Sequence, residues 1–276
     1  MFVNLVFVIR NKEKGGLFMD LPTSFFGWLV FILEKYHASY LQGLITTLET
    51  SLLGTVLGCL LGFVIGLIQA SKVQKRTNPV MKALIYGLKA IAKVYVTVFR
   101  GTPMMVQAMV IFYGLSQAWG VNMPAFQAAI LIISLNTGSY MAETVRGGIN
   151  SIDPGQVEGA EALGMGYVTL MYHIILPQTF KVIAPQLGNT FVANIKDTSV
   201  LNVISVTELY YVTQVAASTY FRMFESYTIT ALIYLTLTLL FNFIFKMIEA
   251  FLAGKESYEV IKPVAEVEAE RSSSAA

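Results

Sequence analysis

Three stretches of this chain contain no Asp, Glu, Lys, Arg or His: residues 50–71 (22 residues), 101–142 (42 residues) and 226–245 (20 residues). A helix needs about 20 apolar residues to cross a bilayer core. Only helices and closed barrels satisfy their backbone groups there, and the alternation over ~10 residues that marks barrel strands is absent from these runs. The chain therefore reads as an all-α, polytopic membrane protein. Its composition agrees, with 55% hydrophobic and 13% charged residues, and a net charge of +2 gives no ground for nucleic-acid binding.

Counting helices gives a topology. The first run, extended back, predicts a helix over 41–70. The long run has room for two crossings, and Gly120-Val121-Asn122-Met123-Pro124 interrupts it with turn-forming residues. This predicts helices over 103–119 and 125–146, and the last run predicts one over 227–251. Lys72, Lys75, Arg76 and Lys82 lie within 71–82 without an acid, and Lys89, Lys93 and Arg100 follow. The positive-inside bias puts this side in the cytoplasm. Lys246, Lys255 and Lys262 are expected to hold the C-terminus on the same side. The last helix must then run inward, so one further, outward crossing is required before it, and parity predicts it over 169–192 although Pro177, Lys181 and Pro185 weaken its hydropathy. The expected result is five transmembrane helices, N-out and C-in.

The ends read differently. Residues 1–40 form an N-terminal extension, with an outer interfacial helix expected over 17–40 from Phe25, Phe26, Trp28, Phe31 and Tyr36. Lys14-Gly15-Gly16 can be encoded AAA-GGA-GGN, which resembles a ribosome-binding site just before Met19. Met19 is thus the expected natural start, and N-terminal sequencing that found Met1 or Phe2 would refute this. Residues 41–252 form the transmembrane domain. Residues 253–276 form an acidic cytoplasmic tail, too polar to bury a core and expected to be disordered.

Within the spans, Gly54, Gly58, Gly62 and Gly66 recur every four residues. Such a stripe lets another helix approach closely, either in this chain or across a subunit interface. Glu49 is an intramembrane acid that either meets a cationic solute or sits near enough to the surface to be hydrated. Cys59 reads as a packing residue. His37 and His173 have no partners at ligand spacing, so no metal site is expected. No GxxxxGK[ST] cradle occurs, and Ser139 has no evident catalytic partner, so no catalytic residue is assigned.

The segment PGQVEGAEALGMGYVTLMYHIILP at 154–177 is unusually polar for this chain. Asp153 suits an N-cap and Pro154 the first helical position. A short helix is expected over Val157 to Leu163, stopped by Gly164 and Gly166. Glu158-Gly159-Ala160, three residues, Gly164, nine residues, Ile174, one residue, then Leu176-Pro177 resembles the EAA loop of binding-protein-dependent ABC importer permeases. The departure is Gly159, where that family usually has Ala. Phe99-Arg100-Gly101-Thr102-Pro103, Gln107, Tyr140-Met141-Ala142-Glu143, Arg146-Gly147-Gly148-Ile149, Gly155-Gln156, Leu176-Pro177-Gln178 and Lys196-Asp197-Thr198-Ser199 extend the resemblance to the polar amino-acid subfamily over 41–252.

The resemblance implies a type I ABC importer permease fold in a bacterial cytoplasmic membrane, with the loop at 147–168 coupled to a separate ATPase. The implied coupling residues are Gly155, Gln156, Glu158, Gly159, Ala160, Glu161, Leu163 and Gly164. It implies a second permease subunit, identical or a paralogue, two ATPase subunits that use ATP and Mg, and an extracellular solute-binding protein. No cofactor is expected on this chain itself. Polar side chains at depth, as candidates for the solute path, are Glu49, Gln107, Asn136, Thr137, Tyr140, Asn189, Asn194, Asp197, Thr198 and Ser199. Glu49 and Asp197 lean towards a cationic amino acid. Arg100 and the Glu143/Arg146 pair read as structural or gating residues. The other class of function is an ATPase-independent channel or secondary transporter. It predicts paired inverted repeats, and the sequence shows none.

Overall fold

A computed structural model describes residues 21–71 and 78–253, and every regular element among them is helical. The expected start at Met19 and almost all of the acidic tail lie outside these residues.

Helix α1 runs over Phe25–Ala70 without a break. Ser24 caps it, its hydroxyl accepting from Gly27 N at 3.1 Å. At 46 residues it is about 69 Å long, more than twice the ~30 Å bilayer core. The aromatic segment expected to form a separate helix before residue 41 is therefore the first third of α1. No glycine or proline falls between Trp28 and Gln42, so nothing stops the helix there. That end packs Trp28 and Ile32 against Leu209, Val212 and Ile229, and the Arg222 guanidinium lies 4.5 Å over the Trp28 ring.

Helix α2 (Pro79–Gly101) was not anticipated. Asn78 caps it, and Pro79 opens it. Helix α3 (Met104–Trp119) follows at a bend of 113° and stops at Gly120, whose φ of 65° is left-handed. Helix α4 (Ala125–Asn150) is the central element. Ile132 and Ile133 of α4 and Ala108 of α3 form one buried cluster with Leu201 and Ile204.

After α4 come the short α5 (Pro154–Ala162) and a helical path made of α6 (Tyr167–Leu170), a π turn (Met171–Ile175) and α7 (Leu176–Asp197). Pro177 has no N–H to donate to an upstream carbonyl, and the π turn ends two residues before it. A 3₁₀ turn (Thr198–Ile204) leads to α8 (Leu209–Tyr220) and α9 (Met223–Ala253). Glu208, fully buried, caps α8: its carboxylate accepts from Tyr210 N, Tyr211 N and the Tyr234 hydroxyl at 2.8–2.9 Å.

Helices α1, α4 and α9 are long and apolar enough to cross a membrane, and the bent α2–α3 pair makes a fourth if counted as one span. The path over residues 167–197 exists as a helix but is less apolar than these.

Candidate functional site

Two regions hold the residues singled out above. The first is α5 and its stop. The Asp153 carboxylate accepts from Gly155 N at 2.7 Å, so the expected cap is present. At the other end Gly164 takes φ 77°, with Gly164 N bonded to Glu161 O and Met165 N to Ala160 O. A left-handed conformation costs most residues other than Gly, Asn and Asp about 1–2 kcal/mol, which is consistent with Gly at 164. Ala160, Leu170 and Ile175 form a small buried cluster, flanked by Ile149, Ile152 and Val157. The unit is thus a knob with its own core, set between α4 and α7. Its outer surface carries Gly155, Gln156, Glu158, Gly159 and Glu161, all exposed, and Leu163 at 84% exposure.

The second region is a cavity of about 460 Å³ between α4, α7 and the α2–α3 bend. Its walls include Asn136, Thr137, Tyr140, Asn189, Asn194 and Asp197, which brings together six of the ten path candidates. The remaining four are placed elsewhere. Glu49 is exposed on α1 and lines no part of this cavity. Thr198 and Ser199 turn their hydroxyls to the carbonyls of Ile195 and Lys196. Gln107 is buried and holds the bend. Phe99 O would accept from residue 103 in a continuous helix, but Pro103 has no N–H. Gln107 Nε2 supplies the missing donor to Phe99 O and also to Thr102 O, both at 2.8 Å. Its Oε1 accepts from Asn136 Nδ2 at 3.0 Å.

Asn194 is likewise fixed, its Nδ2 donating to Thr55 Oγ1 (2.7 Å) and Thr137 Oγ1 (2.9 Å). Exposed Asn189 and Asp197 are left to face the space, beside half-exposed Tyr140. Gln186, Thr190 and Thr102 also line it and were missed. Gln186, Asn189, Thr190, Ala193 and Asp197 recur at helical spacing (i, i+3, i+4, i+7, i+11), a polar stripe that could have found them. Asp197 is the one acid among the described residues that line these walls, and Lys196 lies beside it in sequence.

The glycine stripe faces α4 of the same chain. A Cβ on Gly54 would come within 2.5 Å of Ile133, on Gly58 within 2.6 Å of Thr137, on Gly62 within 2.6 Å of Gly138 O, and on Gly66 within 2.7 Å of Ala142 O. The reading of close approach within one chain accounts for all four.

Comparison with known proteins agrees with this architecture. Residues 62–254 match the family described as binding-protein-dependent transport system inner membrane component. The arginine transport system permease protein ArtQ of Bacillus subtilis (strain 168) is 38% identical over 159 residues, covering 58% of this chain and 73% of that protein. The probable glutamine ABC transporter permease protein GlnM of the same organism is 35% identical over 161 residues, 58% of this chain and 74% of its own length. A crystal structure of an amino acid ABC transporter with histidines superposes with a TM-score of 0.70 at 36% identity, covering 79% of this chain and 96% of that one. The inward-facing MetNI methionine ABC transporter, 16% identical, shares the fold with a TM-score of 0.63 over 79% of this chain and 97% of its own. This chain belongs to the family of binding-protein-dependent transport system inner membrane components.

Proposed function

We propose that this chain is the membrane-spanning permease subunit of an ATP-driven importer for a polar amino acid. The observation that carries the reading is the α5 knob: a capped helix with its own small core, presenting Glu158, Glu161 and Leu163 outward between two long helices. A rigid body so placed can be gripped and displaced by a cytoplasmic ATPase. ATP and Mg then act on the partner, and this chain performs no chemistry. Ala160 and Gly164 shape the knob, and the two acids would pair with basic groups on the ATPase. Movement passes to α4 and α7, which carry the walls of the polar cavity. The spans then alternate between outward-facing and inward-facing arrangements, driven by contacts that differ between the two states.

The assembly in this reading has a second permease subunit, two ATPase subunits and an external solute-binding protein, in a bacterial cytoplasmic membrane. The chain crosses five times, N-out and C-in, with α7 as the crossing that hydropathy alone underrates. The solute path runs by Asn189, Asp197 and Tyr140. Asp197 provides for the solute ammonium and suits a cationic amino acid. The names and sequence likeness of the relatives support amino-acid import over an ATPase-independent channel or secondary transporter.

Co-purification of the tagged chain tests the proposal. The expected result is an ATPase that travels with the chain and is stimulated by one or a few amino acids when the binding protein is added. A monodisperse preparation without an associated ATPase that still transports solute would overturn it.

A further inference from the structure

A second polar cleft, of about 430 Å³, lies between α1, α2 and α4 and is separate from the cavity above. Gln69, Lys89, Lys93, Arg100, Glu143 and Arg146 line it, so four cations face one carboxylate. That carboxylate is already engaged. Arg146 holds Glu143 through Nε at 3.2 Å and through a second guanidinium nitrogen, and Arg100 lies 3.9 Å away over the Tyr140 ring. Lys89 donates to the Ser71 carbonyl at the end of α1. Lys93 is exposed and has no polar partner among the described residues.

Two features bear on what this cleft can hold. The first is its level. Gln69 is the penultimate residue of α1, and Arg146 stands in the last turns of α4, just before the α5 knob. Two helices long and apolar enough to span end here, so the cleft opens at the membrane–water boundary. The second is the two-sidedness of α2. Lys82, Lys89, Lys93 and Arg100 recur at intervals of seven, four and seven, which is one helical stripe. Leu84, Leu88, Ile91, Val94 and Val98 lie exposed on the opposite side. The helix thus offers an apolar face to acyl chains and a cationic face where headgroup phosphates sit.

We propose that this cleft binds the phosphodiester of an anionic phospholipid, of the phosphatidylglycerol type. A transported amino acid is a poorer fit, because its ammonium would be repelled by the four cations. A phosphodiester carries charge of one sign, and its oxygens suit the planar fork of Arg100. The inference rests on membrane residence alone and is independent of what the protein transports.

The test is native mass spectrometry on the full chain in its purified complex, delipidated and titrated with dioleoylphosphatidylglycerol or dioleoylphosphatidylcholine. Phosphatidylglycerol adducts are expected at lower lipid concentration than phosphatidylcholine adducts. Lys93→Gln should weaken them about fivefold, the value of one lysine near an anionic lipid surface, and Lys93→Arg should restore them. Lys93 is exposed, so an unchanged size-exclusion profile is expected in both variants. Equal adducts with the two lipids, or phosphatidylglycerol binding insensitive to both Lys93→Gln and the Lys89→Gln/Lys93→Gln double variant, would overturn the proposal. Displacement of the lipid by equimolar glycerol 3-phosphate would also overturn it, by assigning the site to a soluble phosphate.

Discussion

The two sides of α4 are built on opposite plans. Towards α1 it meets four glycines, so closely that backbone atoms of Gly138 and Ala142 occupy the space where a Cβ on Gly62 would stand. Towards α2 and α3 it keeps room: Asn136 reaches Gln107, while Tyr140, Glu143 and Arg146 border open, polar space. The first side is dry and fixed by shape, because interlocked backbones have no second arrangement of similar energy. The second is held by hydrogen bonds and ion pairs that can exchange with water or a ligand. A single helix is thereby anchored along one edge and accessible along the other.

That contrast orders the expected effects of substitution. Gly62→Leu should be the most severe, since the new side chain meets backbone rather than a movable side-chain tip. Overpacking of this kind costs about 1–3 kcal/mol or more, and the measurement is loss of the monodisperse peak in detergent. A normal yield of folded protein would show that the seam is looser than its geometry. At the knob, Glu158→Lys should leave that peak intact but remove substrate-stimulated ATPase activity. Like charges set against each other cost several kcal/mol at an interface, so coupling should fall at least about tenfold. Gly164→Asp should act in the same direction, mainly by placing a charged side chain on a surface where a Cβ now meets nothing within 4 Å. Wild-type stimulation in both variants would remove α5 from the coupling path.

Gln107→Leu should be intermediate. It strips partners from Phe99 O, Thr102 O and Asn136, at about 1–3 kcal/mol for unsatisfied buried groups, read as a lower thermal unfolding temperature. Glu143→Gln, on the open side, should cost less than about 1 kcal/mol, because its ion pairs are part-exposed and screened. A loss as large as that of Gly62→Leu would erase the distinction between the two sides. Smallest of all, Gly159→Ala should stabilise α5 by up to about 1 kcal/mol. A Cβ at that position meets nothing within 4 Å, and transport should be unchanged.

Much of this was legible in the residues. The four-residue spacing of Gly54 to Gly66 announced a close helix contact, and Asp153-Pro154 with Gly164 announced both ends of α5. Helix α2 was hidden because Lys82, Lys89, Lys93 and Arg100 break its apolar content, and the eye reads basic residues near a span as a loop. Its signal lay in periodicity rather than average hydropathy. The union of the aromatic segment with the first span was missed because composition changes near residue 41 while nothing there stops a helix. The cavity was half legible. Asn136, Asn189 and Asp197 stand out as polar residues within helical segments, but only the fold shows that Gln107 and Asn194 spend their hydrogen bonds on structure. Nothing in the sequence near Glu208 predicts that an acid would be buried as a helix cap.

The corner between α2 and α3 has a mechanical consequence. A proline break between helices is ordinarily a joint, free to flex because hydrogen bonds are missing across it. Here one glutamine spans the gap and is itself tethered to α4, so the two arms form a single angled bracket with a fixed elbow. A tilt of α4 would pull on this bracket through the Asn136–Gln107 hydrogen bond. While that bond holds, the far tip of α3 would move with the elbow and not independently of it.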